Sequence, residues 1–394
     1  KFVEADSSWV IPPIQEGTDV GGHRNGIGIM LSAFGDINDD GAIDMVGVVN
    51  MNASSEDTVH LIVYENTAGN ESNTSPIWVK KETIATDLSY CQTHRVLSIL
   101  DICSLSLVDL NDDNKLDIIY SILLSPVTFF KNTGEINRAE WMKVNETTAE
   151  SPFAEMIQFT NRFSSTTKLS QTGQSVPVYP NVVFIDMDDD GDLDVISFVI
   201  FGDGVYYTEN IATDNAAPVY HQNSGLIMES GGEQPRSLTL GDLDNDGDLD
   251  LLIGGIENIY VLENTGSHKQ PAWTKRNEAW MGFDTSGFKR YTGSHLPDFS
   301  SAVNVQQMID IDLDGMLDFV YVTSHKMKFF RSTKGSGAKH FMRRTHWALK
   351  DKTVGTYPAP VGIDLNGDGY EDLVVANKQN YQITKYYLFE KIGE

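Results

Sequence analysis

A nine-residue acidic pattern recurs six times along this chain of 394 residues, and it constrains the fold more than any other feature. The pattern is D-x-[DN]-x-D-[GN]-x-x-D, and successive copies start 54 to 77 residues apart. Such repetition indicates that one small structural unit is copied along the chain. We number the copies loop 1 to loop 6 and the residues within a copy positions 1 to 9. The six loops occupy residues 36–44, 109–117, 186–194, 242–250, 310–318 and 364–372.

The segments around each loop follow the same order in every copy. A short apolar stretch precedes the loop, at 29–35, 104–108, 182–185, 237–241, 305–309 and 359–363. A continuously apolar run rich in β-branched residues follows the loop, as expected for a strand buried on both faces. An alternating run that ends in an Asn-Thr-Gly-like turn comes third. A more polar segment with an aromatic residue comes fourth, at 77–84, 140–147, 218–223, 272–280 and 340–347. The pattern predicts four antiparallel strands per unit and no helix of useful length.

Four-stranded units at this spacing are typical of propeller blades. We therefore predict an all-β fold, a six-bladed β-propeller formed by residues 1–394 as a single domain. The sixth unit stops after its third strand, whereas residues 1–14 resemble the missing fourth strand. The N-terminal strand is thus expected to complete the last blade and close the ring. A seventh blade would have to lie within 145–180, which lacks a full set of strands, so six blades are favoured over seven.

The acidic residues at positions 1, 3, 5 and 9 predict a metal site in each loop. Two unit charges 4 Å apart repel by about 4 kcal/mol at an effective dielectric of about 20, so the carboxylates need a cation between them. An all-oxygen ligand set of this kind suits Ca²⁺. The residue at position 6 is Gly, or Asn114 in loop 2, as a turn with positive φ requires. The alternative is a set of polar turns, since Asp, Asn and Gly are ordinary turn residues, but six copies in one register favour the metal.

The net charge of −27 belongs almost entirely to these loops, which hold 27 of the 56 acidic residues and one basic residue, Lys115. The excess of acid excludes nucleic acid and anionic membrane surfaces as partners, because these require basic charge. No apolar run reaches the roughly 18 residues of a membrane span, so no membrane insertion by this segment is expected.

The loops, the strand that follows them and the Asn-Thr-Gly turn resemble the FG-GAP/VCBS repeats of integrin α-subunit propellers and of secreted lectin-like and microbial surface proteins. The resemblance covers nearly the whole chain, although the Phe-Gly-Gly-Ala-Pro signature of the family is mostly absent, so integrin partners are not implied. It implies up to six structural Ca²⁺ ions. The implied ligands are Asp36, Asn38, Asp40 and Asp44; Asp109, Asn111, Asp113 and Asp117; Asp186, Asp188, Asp190 and Asp194; Asp242, Asp244, Asp246 and Asp250; Asp310, Asp312, Asp314 and Asp318; and Asp364, Asn366, Asp368 and Asp372.

Sequence motifs of catalysis are missing: there is no G-x-S-x-G elbow, no H-E-x-x-H helix, no phosphate-binding loop and no dinucleotide fingerprint. Candidate ligand-binding residues lie in the connections that precede the first strands, on the face opposite the acidic loops. The alternative for each is an ordinary solvated loop residue. They are His23, Arg24, His94, Arg95, Arg236, Arg290 and Tyr291.

Several features favour secretion. Cys91 and Cys103 lie in one insertion, and a disulfide between them is favoured over two buried thiols. No loop has a glutamate three residues after position 9, where a tight calcium loop carries one, so the loops suit the millimolar calcium found outside cells. Because the chain begins at Lys1 and not at Met, we also expect a processed product. Glycosylation sequons occur at Asn52, Asn70, Asn73 and Asn145.

These observations lead to three hypotheses. The first is a non-enzymatic, calcium-binding, extracellular or cell-surface propeller that acts as an adhesion or recognition module for a protein or glycan. The second is a structural subunit or scaffold of a surface assembly, with the long insertions 87–104 and 145–180 as contact candidates. The third is a polysaccharide-active enzyme on a propeller scaffold, which the missing catalytic motifs disfavour.

Overall fold

The computed structural model describes most of the repeated units. The described residues are 2–4, 28–50, 59–68, 74–85, 104–121, 127–144, 181–198, 204–212, 218–220, 225–229, 235–255, 259–267, 270–276, 304–312, 314–323, 326–333, 341–344, 359–379 and 382–391.

These residues form strands joined by loops and turns, and helices are absent from the described part of the chain. The strands are β1 Phe2–Glu4, β2 Gly28–Gly35, β3 Asp44–Asn50, β4 Val59–Asn66, β5 Trp78–Ala85, β6 Ser104–Val108, β7 Asp117–Ser121, β8 Thr128–Asn132, β9 Trp141–Val144, β10 Asn181–Ile185, β11 Asp194–Phe198, β12 Gly204–Thr208, β13 Gly225–Glu229, β14 Pro235–Gly241, β15 Asp250–Gly255, β16 Ile259–Asn264, β17 Trp273–Arg276, β18 Asn304–Ile309, β19 Asp318–Thr323, β20 Lys326–Ser332, β21 Phe341–Arg344, β22 Ala359–Ile363, β23 Asp372–Gln379 and β24 Gln382–Lys391.

The strands pair as antiparallel sets of four, which we call repeat 1 to repeat 6 after the loop that each contains. Repeats 2 to 5 are separate sheets, β6–β9, β10–β13, β14–β17 and β18–β21. Among the described residues a fifth sheet of eight strands contains both repeat 1 (β2–β5) and repeat 6 (β22–β24 with β1). A single residue pair, Ile29 with Ile383, joins these two sets. The predicted all-β propeller with four antiparallel strands per blade is confirmed.

The N-terminal strand completes the last repeat, as the sequence predicted. In β1, Phe2, Val3 and Glu4 pair with Lys391, Glu390 and Phe389 of β24. The first strands of neighbouring repeats also touch, as β2 does with β6, β6 with β10, β14 with β18, and β18 with β22. The repeats therefore follow one another in space in the same order as in the sequence.

The core lies between adjacent repeats, because each second strand is buried on both faces. Ile118 and Tyr120 of β7 pack into one cluster with Val46 and Val48 of repeat 1. The alternate residue, Ile119, packs with Val195 and other residues of repeat 3. Successive side chains of a strand point to opposite faces, so a continuously apolar strand is what a sheet needs between two neighbours.

Two strand predictions are corrected. The fourth strand of repeat 3 was expected at 218–223 but is β13, Gly225–Glu229. Within the described part of that segment, Tyr220 forms an isolated bridge to Asn210, and the N–H of Val219 donates to Asn210 Oδ1, so residues 218–220 belong to the turn. Arg236 was expected in a connection, whereas its backbone lies within β14.

Candidate metal centres

Each loop is organised by the carboxylate at position 1. Its Oδ1 accepts a hydrogen bond from the backbone N–H of position 5 at 3.1 Å in all six loops. Its Oδ2 accepts from the N–H of position 6 at 2.6 to 3.0 Å. The position 5 carboxylate in turn accepts from the N–H of position 7 at 2.8 to 3.2 Å. These bonds close the loop around the side chains at positions 1, 3 and 5.

The predicted left-handed conformation at position 6 is confirmed. Its φ angle is positive in every loop, from 61° at Asn114 to 97° at Gly247. The structure adds a second position with positive φ, position 4, which the sequence prediction missed. Asp, Asn and Gly tolerate this conformation best. The residues at position 4 with positive φ are Asp39, Asp112, Asp189, Asn245 and Gly367.

The aspartate at position 9 starts the second strand and is buried in all six loops. Its Oδ2 accepts from the N–H of position 2 at 2.9 to 3.4 Å. In loops 1 to 5 its Oδ1 also accepts from a backbone N–H at the end of the third strand, at 2.7 to 2.8 Å. The predicted metal ligand is therefore also a hydrogen-bonding anchor for the repeat, and an oxygen that accepts a single hydrogen bond retains a lone pair for an ion.

Burial makes these anchors difficult to ionise without a nearby cation. It raises the pKa to about 7 for Asp44, Asp117, Asp194, Asp250 and Asp318, against the lowering effect of the backbone hydrogen bonds. The carboxylates elsewhere in each loop raise it further. In loop 3 the hydroxyl of Tyr207 donates a third hydrogen bond, to Asp194 Oδ2 at 2.9 Å.

Loops 3 and 4 bring three carboxylates to one point. In each, one oxygen from positions 1, 3 and 5 lies within 4.8 Å of the other two, as in Asp242, Asp244 and Asp246. At position 3 the Oδ1 atoms of Asp188 and Asp244 are buried and accept no hydrogen bond. Burial, followed by the neighbouring carboxylates, raises the pKa of Asp244 to about 6 and that of Asp188 in the same direction. Unbonded buried oxygens among converging carboxylates fit a hard divalent cation.

Loops 1, 2 and 6 have asparagine at position 3, which offers a neutral oxygen. Asn111 Oδ1 is buried without a hydrogen-bond partner, like its counterparts in loops 3 and 4. Asn38 and Asn366 instead accept from the N–H of position 5 at 3.0 and 3.2 Å. These loops hold carboxylates at the other three ligand positions, 1, 5 and 9, and calcium sites accept amide oxygens alongside carboxylates.

A residue at or just after the end of the third strand faces the loop in repeats 1 to 5, and the sequence prediction missed it. It directly precedes the residue whose N–H reaches the position 9 aspartate, and we call it the facing residue. Asn38 Nδ2 donates to the facing residue Glu65 at 2.7 Å. Lys131 Nζ lies 3.4 Å from Asp113 Oδ2 in loop 2. The facing residues of loops 1 to 5 are Glu65, Lys131, Glu209, Glu263 and Arg331.

The asparagine of the Asn-Thr-Gly turn also does more than the sequence indicated. Asn264 Oδ1 accepts from the N–H groups of Gly266 and Ala272, at 3.0 and 2.9 Å, and so ties the third strand to the fourth. Asn66, Asn132 and Asn210 accept equivalent pairs of bonds. Asn132 Nδ2 further donates to the carbonyl of Ile37 in loop 1 at 2.9 Å, so one repeat holds the loop of the previous one.

Other predicted sites lie outside the described residues or lack a described side chain. Of Arg236 only the backbone is described. Residues outside the description are His23, Arg24, His94, Arg95, Arg290 and Tyr291, the cysteines Cys91 and Cys103, and the sequons at Asn52, Asn70, Asn73 and Asn145; the insertions 87–104 and 145–180 lie there too, apart from Ser104. The described residues include no helix long and apolar enough to cross a membrane.

Comparison with known families confirms the resemblance noted above. Residues 310–375 match the model of the FG-GAP-like repeat, and this segment runs from loop 5 through loop 6. No curated protein matches the chain significantly in sequence.

Solved structures that align with the chain do so at low identity. A lectin of Agrocybe aegerita that recognises non-reducing terminal N-acetylglucosamine has 14% identity and a TM-score of 0.46, over 88% of this chain and 74% of the lectin. The Photorhabdus luminescens Tc holotoxin pore has 13% identity and a TM-score of 0.43, over 91% of this chain and 14% of the toxin chain. The V. cholerae biofilm matrix protein Bap1 has 11% identity and a TM-score of 0.32, over 93% of this chain and 40% of Bap1.

Proposed function

We propose that this chain is a calcium-stabilised, non-enzymatic propeller of six blades that works outside the cell as a recognition or adhesion module for a protein or glycan. The single observation that carries the metal assignment is the pair of buried, unbonded position 3 oxygens, in Asp188 and Asp244, among converging carboxylates. Six loops of one hydrogen-bonding pattern support six equivalent blades, the first and last of which share a sheet.

In this proposal calcium stabilises the fold. The residues at positions 1, 3, 5 and 9 hold the ion, which neutralises carboxylates that burial otherwise keeps from ionising. An ion that binds only the folded chain adds about 2.7 kcal/mol per independent site at a concentration 100 times its Kd. Several such sites would make folding conditional on calcium.

The metal part of the proposal is tested by melting the protein in excess EDTA and in millimolar CaCl₂. We expect Tm to rise by more than 10 °C with calcium, since each additional kcal/mol raises Tm by roughly 1 °C in a domain of 394 residues and several sites contribute together. The same concentration of MgCl₂ serves as control, because Mg²⁺ requires a smaller octahedral site. An unchanged Tm in EDTA would contradict the assignment.

Recognition is tested with a glycan array and a panel of extracellular proteins, in calcium and in EDTA. Binding that is lost in variants of His94, Arg95 or Arg236 would support a ligand site on the face opposite the loops. Turnover of any polysaccharide would contradict the non-enzymatic assignment and favour the third hypothesis above.

A structural role in a surface assembly is the second candidate, and one observation favours it. Exposed apolar side chains lie in or beside the turns between third and fourth strands in three consecutive repeats, namely Ile77, Ile136, Ile211 and Val219 with 46 to 68% of their surface exposed. Light scattering across a range of protein concentrations distinguishes the two candidates. A defined oligomer that is lost in the Ile136→Ser variant favours assembly, while a monomer at all concentrations favours recognition.

A further inference from the structure

Loop 5 differs from the other loops because a guanidinium group lies against its carboxylates. Arg331 of β20 places its Nε 2.5 Å from Asp312 Oδ2, an ion pair without hydrogen-bond alignment. Its Nη2 donates to Asp314 Oδ2 at 2.9 Å. The Arg331 side chain is only 31% exposed, so water and salt screen these contacts less than at a free surface. A fixed positive charge thus contacts positions 3 and 5, two of the four predicted calcium ligands.

The strand register places residues of opposite charge at this point in other repeats. Phe319 pairs with Phe330 just before Arg331, as Leu251 pairs with Leu262 just before Glu263. The facing residue is likewise acidic in loops 1 and 3, as Glu65 and Glu209. In loops 1 and 4 the facing carboxylate is paired with a cation of the fourth strand, Lys81 or Arg276, which contacts the facing residue and not the loop carboxylates. In loop 5 the facing residue is itself the cation and contacts the loop carboxylates directly.

The carboxylates of loop 5 are also arranged differently. In loops 3 and 4 the converging oxygens come from positions 1, 3 and 5, but in loop 5 they come from Asp310, Asp312 and Asp318, at positions 1, 3 and 9. The carboxylate at position 5, Asp314, is bonded to Arg331 instead. Among the buried side-chain oxygens that lack a hydrogen-bond partner within the described residues, none belongs to loop 5.

We propose that Arg331 is the resident cation of loop 5, and that this loop folds without a divalent ion and does not take one. The guanidinium neutralises the carboxylates that would otherwise require Ca²⁺, and an incoming ion would lie beside a like charge. The inference rests on the proposed function, in which calcium occupies the other loops. It changes the expected complement from six ions to at most five.

Lys131 does not extend the inference to loop 2. Its ammonium group contacts one carboxylate, Asp113, at 3.4 Å. Asn111 Oδ1 of the same loop remains buried without a partner, so the ligand set still lacks a cation. A single ammonium contact leaves this site open to calcium, whereas the two contacts of Arg331 occupy loop 5.

The test counts calcium ions bound per folded chain, by equilibrium dialysis in millimolar CaCl₂. Asp242→Asn and Asp310→Asn make the same change at position 1 of loops 4 and 5, and each retains one acceptor oxygen for the loop backbone. We expect Asp242→Asn to lose one ion relative to the wild type and Asp310→Asn to lose none. A loss of one ion in Asp310→Asn would overturn the proposal while leaving calcium binding itself intact.

A second experiment tests whether loop 5 binds calcium once Arg331 is replaced. Arg331→Gln should bind one more ion than the wild type, and adding Asp310→Asn to that variant should remove it again. In EDTA, Arg331→Gln should melt below the wild type and recover in calcium. Arg138→Gln is the matched control, because Arg138 pairs with Glu140 on the surface and not with a loop. Arg138→Gln should bind as many ions as the wild type, and its Tm in EDTA should equal that of the wild type.

The possible failures are distinguishable. A wild-type count of zero would contradict the proposed function and this inference together. A wild-type count of six, or an unchanged count in Arg331→Gln, would overturn the inference alone.

Discussion

The position 9 aspartate joins three parts of each repeat through one side chain. In repeat 4, Asp250 Oδ2 holds the start of the loop through the N–H of Leu243, and Oδ1 holds the end of the third strand through Asn264. The side chain of Asn264 then holds the start of the fourth strand. Such a buried acceptor is costly to remove, because its donors would be left unpaired.

The raised pKa of these aspartates predicts how stability depends on pH in the absence of metal. Their folded-state pKa of about 7 lies above the ordinary value of 3.8, so the folded chain retains protons that the unfolded chain has lost. The resulting contribution to stability is complete below about pH 4 and is lost as pH rises through about 7. Each retained proton lowers the free energy of unfolding by about 1.4 kcal/mol per pH unit in that window.

Urea unfolding in EDTA at pH 5, 6, 7 and 8 measures this effect, and we expect the free energy of unfolding to fall as pH rises. In saturating calcium the fall should vanish or reverse, since the ion binds only ionised carboxylates. A free energy that rises from pH 5 to pH 8 in EDTA would show that these aspartates are already ionised.

At the scale of the element, the hairpin between the third and fourth strands depends on close backbone approach. A Cβ atom added to Gly266 would lie 2.2 Å from the carbonyl oxygen of Gln270 and 2.7 Å from the amide nitrogen of Ala272. Gly134 has the same relation to Arg138 and Glu140. The Asn-Thr-Gly turn therefore requires glycine, because any Cβ would overlap backbone atoms on the opposite side of the turn. Backbone atoms cannot move aside as the end of a side chain can.

Gly266→Ala should therefore destabilise the protein by about 1–3 kcal/mol, the usual range for a forced steric overlap. Gly225→Ala in β13 is the matched control, because nothing lies within 4 Å of the added Cβ. We expect the control to be neutral or stabilised by up to about 1 kcal/mol, since alanine restricts the unfolded chain more than glycine. Urea unfolding in calcium measures both, and equal effects would contradict the steric explanation.

At the scale of the whole molecule, stability depends on each repeat covering the next. The second strands are buried on both faces, so an uncovered repeat would expose apolar residues such as Val46 or Ile119. The last repeat depends on a strand from the other end of the chain, β1. Without it, the C-terminal end of β24, residues 389–391, would be an exposed sheet edge with unpaired backbone groups.

Deleting residues 1–4 should therefore lower Tm by several degrees, and an excess of a peptide of residues 1–14 should restore part of the loss. Deleting residues 392–394 is the control, because it leaves the residues of β24 that pair with β1, 389–391, in place. Melting of both variants in calcium measures the difference. Equal Tm values for the two deletions would show that β1 does not stabilise the ring.

The repeated pattern predicted most of the architecture, because loops, apolar strands and turns are local signals. Four of the six first strands differ from their predicted bounds by one or two residues at the N-terminal end, and two agree fully. The fourth strand of repeat 3 was misplaced because Tyr220 is held by Asn210 through a bridge that no local pattern reveals.

The site was predicted less completely than the fold. Positions 1, 3, 5, 6 and 9 follow from spacing, but the facing residue belongs to another strand and reaches the loop only in the folded sheet. The sequence alone does not show that Glu263 or Arg331 lies beside a loop, because that proximity depends on the register between the second and third strands. The contact from Asn132 to Ile37 spans two repeats and was equally invisible in the sequence.

The pairing of β1 with β24 has a mechanical consequence. Phe2 lies opposite Lys391, and Val3 and Glu4 follow inward along the same antiparallel ladder. A force that pulls the two ends apart therefore breaks these residue pairs one after another, like a zipper, and does not load them together in shear. Under tension the β1–β24 pairing is therefore expected to separate first, before any strand is sheared from the interior of a repeat.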